Sequence, residues 1–353
     1  MLRHVTQRLT LLLISACAFA AHAEGVGLRT LETLEPITGT TVPAAIVYPS
    51  SDAKADALTW VGPYPVQAQR DGAVADGKHP LIVLSHGHGG GMYGHHDLAT
   101  ALARHGYIVV APQHIGDSFD DMRGAGTDRV LLGRAWQASA VISAALKDPT
   151  LGPHIDAARI GAAGFSAGGY TTLLLLGAQP DFKRFFSFCE KYPGTPEICD
   201  KPFPAKMRTI DRPPPTADAR VRAGFSMAPL SLILDADGLK DVKAPVFLYI
   251  AQKDQVLMPS ENGARIRGLL PNLAQFREIP DADHYVFLAP CSEQLAKDVP
   301  RICTDGPGID RAKIHERINA DAIAFFDAQL KGEGAAPAGA KPNGTTGQVK
   351  SEL

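Results

Sequence analysis

Ala158-Arg159-Ile160-Gly161-Ala162-Ala163-Gly164-Phe165-Ser166-Ala167-Gly168-Gly169 is the stretch that decides the fold. Residues 158–163 read as a short buried strand, and Tyr170 to Ala178 reads as an apolar helix. Between them, Gly164 to Gly168 matches G-x-S-x-G, a pattern that carries meaning only where a strand runs into a helix. A serine on such a turn has its hydroxyl pushed into the open, and small neighbours let strand and helix pack closely. Ser166 is therefore the candidate nucleophile. The flanks separate this motif from a chance pentapeptide in a chain rich in alanine and glycine.

Working outward, strand-like and helix-like segments alternate. Val42 to Tyr48 reads as an early strand, Leu81 to Leu84 as a buried strand, Asp97 to His105 as a helix, and Tyr107 to Ala111 as the next strand. Arg129 to Leu146 is a long amphipathic helix ahead of the serine motif. Val221 to Met227, Val246 to Ala251 and Gln275 to Ile279 follow as strands, with helices expected over Ser260 to Leu270 and Ile309 to Leu330. This alternation predicts an α/β fold with a mostly parallel central sheet and helices on both faces. Its active site belongs at the carboxyl ends of the strands.

A serine hydroxyl needs a base, and the base needs an orienting group. His284, in Asp281-Ala282-Asp283-His284-Tyr285 after the last strand, fits the base. Asp254, just beyond the strand ending at Ala251, fits the acid. Asp235, Asp237 and Asp241 are its rivals, but Gly238 and Lys240 make their stretch read as a solvated turn. Oxyanion donors are expected from the backbone N–H of Ala167 and from the loop Ser85-His86-Gly87-His88-Gly89-Gly90-Gly91, with His88 as donor and Gly89 as the near alternative. That glycine run lacks a following Gly-Lys-Ser/Thr and so does not read as a phosphate cradle. His86, His88, His95 and His96 lack the spacing of a dinuclear hydrolase, so neither metal nor cofactor is expected.

The ends read differently. Arg3 and Arg8, the apolar run Leu9 to Ile14, and Ala21-His22-Ala23 predict a secretory signal over residues 1–23. Ile14-Ser15-Ala16-Cys17 offers a competing lipobox, in which Cys17 would be acylated. Either route implies export to the periplasm or medium, and the run is too short to be a transmembrane segment. In an oxidising compartment, Cys189 with Cys199 and Cys291 with Cys303 read as two local disulfides, while the absence of C-x-x-C argues against zinc. Residues 24–330 suit one α/β domain, and the Gly-, Ala- and Pro-rich residues 331–353 read as a disordered tail. With 35 Lys and Arg against 37 Asp and Glu, scattered along the chain, nothing points to nucleic acid.

The segment from Pro80 to Asp117, with Ser85-His86-Gly87-His88-Gly89-Gly90 and His105-Gly106-Tyr107-Ile108-Val109-Val110-Ala111, together with Gly164 to Gly169, resembles the α/β-hydrolase superfamily. The similarity runs over about Thr41 to Leu330, nearest to predicted dienelactone hydrolases and the platelet-activating-factor acetylhydrolase group. It implies the α/β-hydrolase fold and a serine, acid and histidine triad acting on esters, with Ser166 as nucleophile and His284 as base; the acid would come from Asp254. Two departures qualify this. True dienelactone hydrolases use a cysteine nucleophile, where this chain has Ser166. The acetylhydrolase group takes its acid from the end of the strand after the nucleophile helix, where this chain reads Ser226-Met227-Ala228-Pro229. Residues 181–216 interrupt the alternation with Phe182, Phe185, Phe186, Phe188, Tyr192 and Phe203, and read as a cap-like insertion over the site or a surface excursion. The expected substrate is a small-molecule ester with a hydrophobic acyl or alkyl part. Acyl transfer, peptide hydrolysis and a non-catalytic binding scaffold are the alternatives on the same fold.

Overall fold

The computed structural model describes residues 25–35, 37, 39–193, 199 and 214–332. The expected signal, most of the insertion with Phe203, and all but the first two residues of the expected tail lie outside that set. Among the described residues eleven strands follow in chain order: β1 (Gly25–Leu34), β2 (Thr41–Ser50), β3 (Thr59–Val61), β4 (Tyr64–Val66), β5 (Gln69–Arg70), β6 (His79–Ser85), β7 (Ile108–Pro112), β8 (Ile155–Phe165), β9 (Val221–Met227), β10 (Val246–Ala251) and β11 (Leu273–Ile279). Nine of them form one sheet in the order β11-β10-β9-β8-β6-β7-β2-β1-β5, and β3 pairs with β4 as a hairpin. Pairing is parallel from β7 across to β11. It is antiparallel where β2 meets β7 and β1.

The side chains of the central strands alternate between two apolar layers, as the two-residue period of a strand requires. Leu81, Val83, Ile108 and Val110 pack with Leu131, Ala135 and Val141 of α2 (Asp128–Lys147) and Leu173 of α3 (Ala167–Leu175). Ile82, Leu84, Val109 and Ala111 pack on the other face with Leu98 and Leu102 of α1 (His96–Arg104), and with Ile318 and Phe325 of the last described helix, Arg311–Phe326. Both faces of the sheet are thus covered, which is why its strands read as continuous apolar runs. Within the 181–216 segment, α4 (Lys183–Lys191) buries Phe185 and Phe188 in the α2 layer. Disulfides join Cys189 to Cys199 and Cys291 to Cys303.

Two expectations need correction. The helix over Ser260 to Leu270 shrinks to one turn at Gly263–Ile266. The buried Asn262 accepts through Oδ1 from the amides of Ser231 and Leu232 at 2.8 and 2.9 Å, tying the chain to the neighbouring loop instead of to a helix. The first strand, β1, was absent from the expected order. Only its first four residues, 25–28, are buried, and the remaining six alternate between half-buried and exposed, which hides the apolar signal.

At the serine turn backbone packs directly against backbone. A Cβ on Gly168 would lie 1.8 Å from the Ser85 carbonyl oxygen, and one on Gly164 would lie 2.3 Å from that of Gly168. These glycines let α3 sit directly on the ends of β6 and β8. Gly168→Ala should cost at least about 3 kcal/mol in chemical denaturation, because backbone must move to admit the methyl group. Gly268, with open space around its Cβ position, is the control, and its alanine variant should stay within about 1 kcal/mol of wild type.

Candidate active site

Ser166 stands between β8 and α3 with φ 56° and ψ −116°, a conformation that L-residues rarely adopt. Strain of this kind costs about 1–3 kcal/mol and persists only where the surroundings enforce it. Here the Ser166 amide donates to the Met227 carbonyl at 2.9 Å. Its own carbonyl accepts from Tyr170 and Leu230 at 3.0 and 3.1 Å. Every backbone polar group of the strained residue is therefore satisfied.

Ser166 Oγ lies 3.0 Å from His284 Nε2, and His284 Nδ1 lies 2.6 Å from Asp254 Oδ2. All three residues are buried. The second Asp254 oxygen accepts from the amides of Val256 and Leu257 at 3.0 and 2.6 Å, which leaves Oδ2 aimed at the imidazole. His284 opens a turn, His284–Phe287, capped by Asp283, whose Oδ1 also accepts from Gln255 N–H. The acid loop and the histidine loop are thereby tied together. The Phe165 ring lies 4.7 Å from that of His284 and limits its tilt. Because a carboxylate only accepts, His284 Nδ1 carries the proton, so Nε2 is free to accept from the serine hydroxyl.

The rival acid Asp235 is committed elsewhere, accepting from Gly238 N–H at 2.8 Å as the cap of a short helix. At the end of β9, Ser226 is buried and donates to the Gly169 carbonyl. The structure thus brings Asp254, and not a β9 residue, to His284.

The expected oxyanion loop runs past the serine, with the Gly87 Cβ position 3.4 Å from Ser166 Cβ. Gly89, at φ 62°, donates its N–H to Asp117 Oδ1 at 3.2 Å, so that amide is already engaged. Ala167 is the first residue of α3, where the amides of a helix have no intrahelical acceptor. A cavity of ≈ 100 Å³ adjoins these groups, walled by Val130, Leu131, Phe185, Leu230, Val256 and Leu257.

One set of buried groups that supports this loop escapes sequence reasoning. Arg134 is fully buried, pairs with Asp117 Oδ2 at 2.7 Å, donates to the His86 carbonyl, and reaches Thr171 Oγ1 at 3.1 Å. It therefore joins α2, α3, the 85–91 loop and the loop after β7. His88 Nδ1 completes the Asp117 contacts. Burial would push the Asp117 carboxyl up, but the Arg134 guanidinium and His88 outweigh it and hold it at about 2. Burial and the Arg134 charge hold His86 down at about 3 and His114 well below the ordinary value. Both are thus neutral. His86 Nε2 accepts from His114 N–H, and His114 Nε2 accepts from the Ser85 hydroxyl. The available signal was an arginine inside the apolar stripe Leu131, Leu132, Ala135, Ala138 of α2.

Breaking a buried ion pair by removing one partner costs about 3–5 kcal/mol, whereas removing both costs much less. Arg134→Met and Asp117→Asn should each lower stability on that scale in urea titrations, and the double variant should recover part of the loss.

No family model and no curated protein matches this sequence. Among solved structures, the chain is similar to a ferulic acid esterase from Streptomyces cinnamoneus, with TM-score 0.62 and 20% identity over 92% of this chain and 96% of that one. It is also similar to the Pyrococcus horikoshii acylaminoacyl peptidase, with TM-score 0.54 and 16% identity. In that case the match covers 87% of this chain and only 42% of the peptidase. Sheet order, serine turn and these likenesses together give the chain the α/β-hydrolase fold.

Proposed function

We propose that this protein is an exported serine hydrolase that cleaves carboxylic esters through an acyl-enzyme intermediate. The observation that carries the reading is the single imidazole of His284 set between Ser166 Oγ at 3.0 Å and Asp254 Oδ2 at 2.6 Å. In this reading Ser166 attacks the ester carbonyl while His284 Nε2 takes its proton. The imidazolium then passes that proton to the departing alcohol, and Asp254 stabilises the charge throughout. Water repeats the sequence in reverse order and releases the acid. The amides of His88 and Ala167 are assigned to the oxyanion, the latter helped by the positive end of α3.

The apolar walls and small volume of the cavity favour an ester with a compact hydrophobic part on that side. Residues 24–330 would form the catalytic unit, with Phe185 of the 181–216 segment as part of the wall over the site. Export is supported by the residue 1–23 pattern and by two disulfides. Likeness to an esterase and to an acylaminoacyl peptidase makes amide cleavage the reading to set against ester cleavage.

A panel of p-nitrophenyl esters of increasing chain length, run beside aminoacyl anilides, separates the two. Short or compact esters should turn over fastest, and anilides slowly or not at all. Ser166→Ala should lower kcat by about 10³-fold or more and abolish labelling by a fluorophosphonate. Asp254→Asn should lower kcat by orders of magnitude, and Asp235→Asn should leave it within about twofold. The reverse ranking of the two aspartates would move the acid to Asp235, and an unlabelled, inactive wild type would favour a binding scaffold.

A further inference from the structure

The turn that carries His284 meets a second Asp–His pair. His315, on the last described helix, places Nδ1 2.7 Å from Asp97 Oδ2 on α1 and Nε2 2.9 Å from the carbonyl oxygen of Val286. Val286 lies two residues after His284, inside the turn His284–Phe287. His315 is buried, so water does not replace either partner. A carboxylate and a carbonyl can only accept. A neutral imidazole has one N–H and can serve only one of them, whereas an imidazolium has two and serves both. His284 differs in one respect. Its far nitrogen faces a hydroxyl, which can donate, so the neutral ring satisfies both contacts.

We propose that His315 is a positioning residue for His284, acting as a buried imidazolium whose two N–H groups tie the Val286 carbonyl to Asp97, so that losing one proton releases the turn and slows turnover. This rests on His284 being the catalytic base.

The surrounding groups favour the charge at His315. Burial alone would push its pKa down, but the Asp97 carboxylate and the two hydrogen bonds outweigh burial and raise it. Asp97 Oδ2 takes a further bond from Asn319 Nδ2 at 3.2 Å. His95 and His96, beside Asp97, are held below the ordinary histidine value by burial, His95 at about 4, and remain neutral. Arg311, one turn earlier on the same helix, opposes the charge, but it is paired with Asp305 through two bonds of 2.8 Å. A histidine whose folded value is raised contributes fully below its unfolded value of about 6.5, and that contribution is lost as pH rises through the folded value. The loss therefore falls on the alkaline side.

Two measurements test this. In an imidazole ¹⁵N–¹H correlation spectrum of labelled wild-type protein at pH 7, His315 should show both ring nitrogens protonated and His284 only one. A single protonated nitrogen on His315 would overturn the proposal whatever the protein's activity, which keeps its failure distinct from failure of the esterase reading. In kinetics, wild-type kcat should fall about tenfold or more on the alkaline side while KM changes little. Asp97→Asn lets a neutral His315 keep both bonds, donating to Val286 and accepting from the new amide. It should hold kcat at pH 7 within about threefold of wild type and flatten the alkaline fall. His315→Gln should lower kcat about tenfold across the pH range with KM within about twofold. An alkaline limb unchanged in Asp97→Asn would contradict the proposal.

Discussion

The backbone of Ser166 is the constraint from which the rest of the site follows. A serine at φ 56° is tolerated because its N–H and C=O are bound on three sides, and because Gly164, Gly168 and Gly169 bring α3 against the ends of β6, β8 and β9. Parallel pairing of Gly164 with both Ser85 and Ser226 fixes those three strand ends level with one another. Loops from this same end of the sheet then converge on one hydroxyl. The 85–91 loop comes from β6, the acid loop from β10 and the histidine loop from β11.

Protonation within the buried polar groups follows from the same kind of geometry. His86, His114, His284 and His315 are all buried, yet only His315 faces two groups that cannot donate. His86 accepts from an amide, and His114 and His284 each accept from a hydroxyl, so each completes its contacts as a neutral ring. For such buried rings the protonation state follows the partners, because an unmatched donor or acceptor costs about 1–3 kcal/mol. Arg134 and Asp117 apply the same rule with full charges beneath the 85–91 loop.

How far the sequence could be read depends on the range of each interaction. The strand and helix alternation was legible because the apolar periods are local, and Ser166, Asp254 and His284 could be picked out as candidates because each follows a strand end. The helix expected over 260–270 failed because Asn262 bonds across to Ser231 and Leu232, which no period records. Asp97 and His315 were illegible for the same reason. They are 218 residues apart, on two separate helices, and only the packing of α1 against the last described helix brings them together. Arg134 left a trace, as a charge in an apolar stripe, but its partner Asp117 lies in a loop without a recognisable pattern.

An acyl-enzyme route requires a covalent bond to Ser166 during turnover. The direct measurement is a rapid acid quench of the protein hydrolysing a p-nitrophenyl ester, followed by digestion and mass mapping. A peptide containing Ser166 should become heavier by the acyl group minus one hydrogen, appearing with the burst of nitrophenol and disappearing when substrate is exhausted. Steady turnover with Ser166 unmodified, or with the acyl group on another residue, would contradict this route.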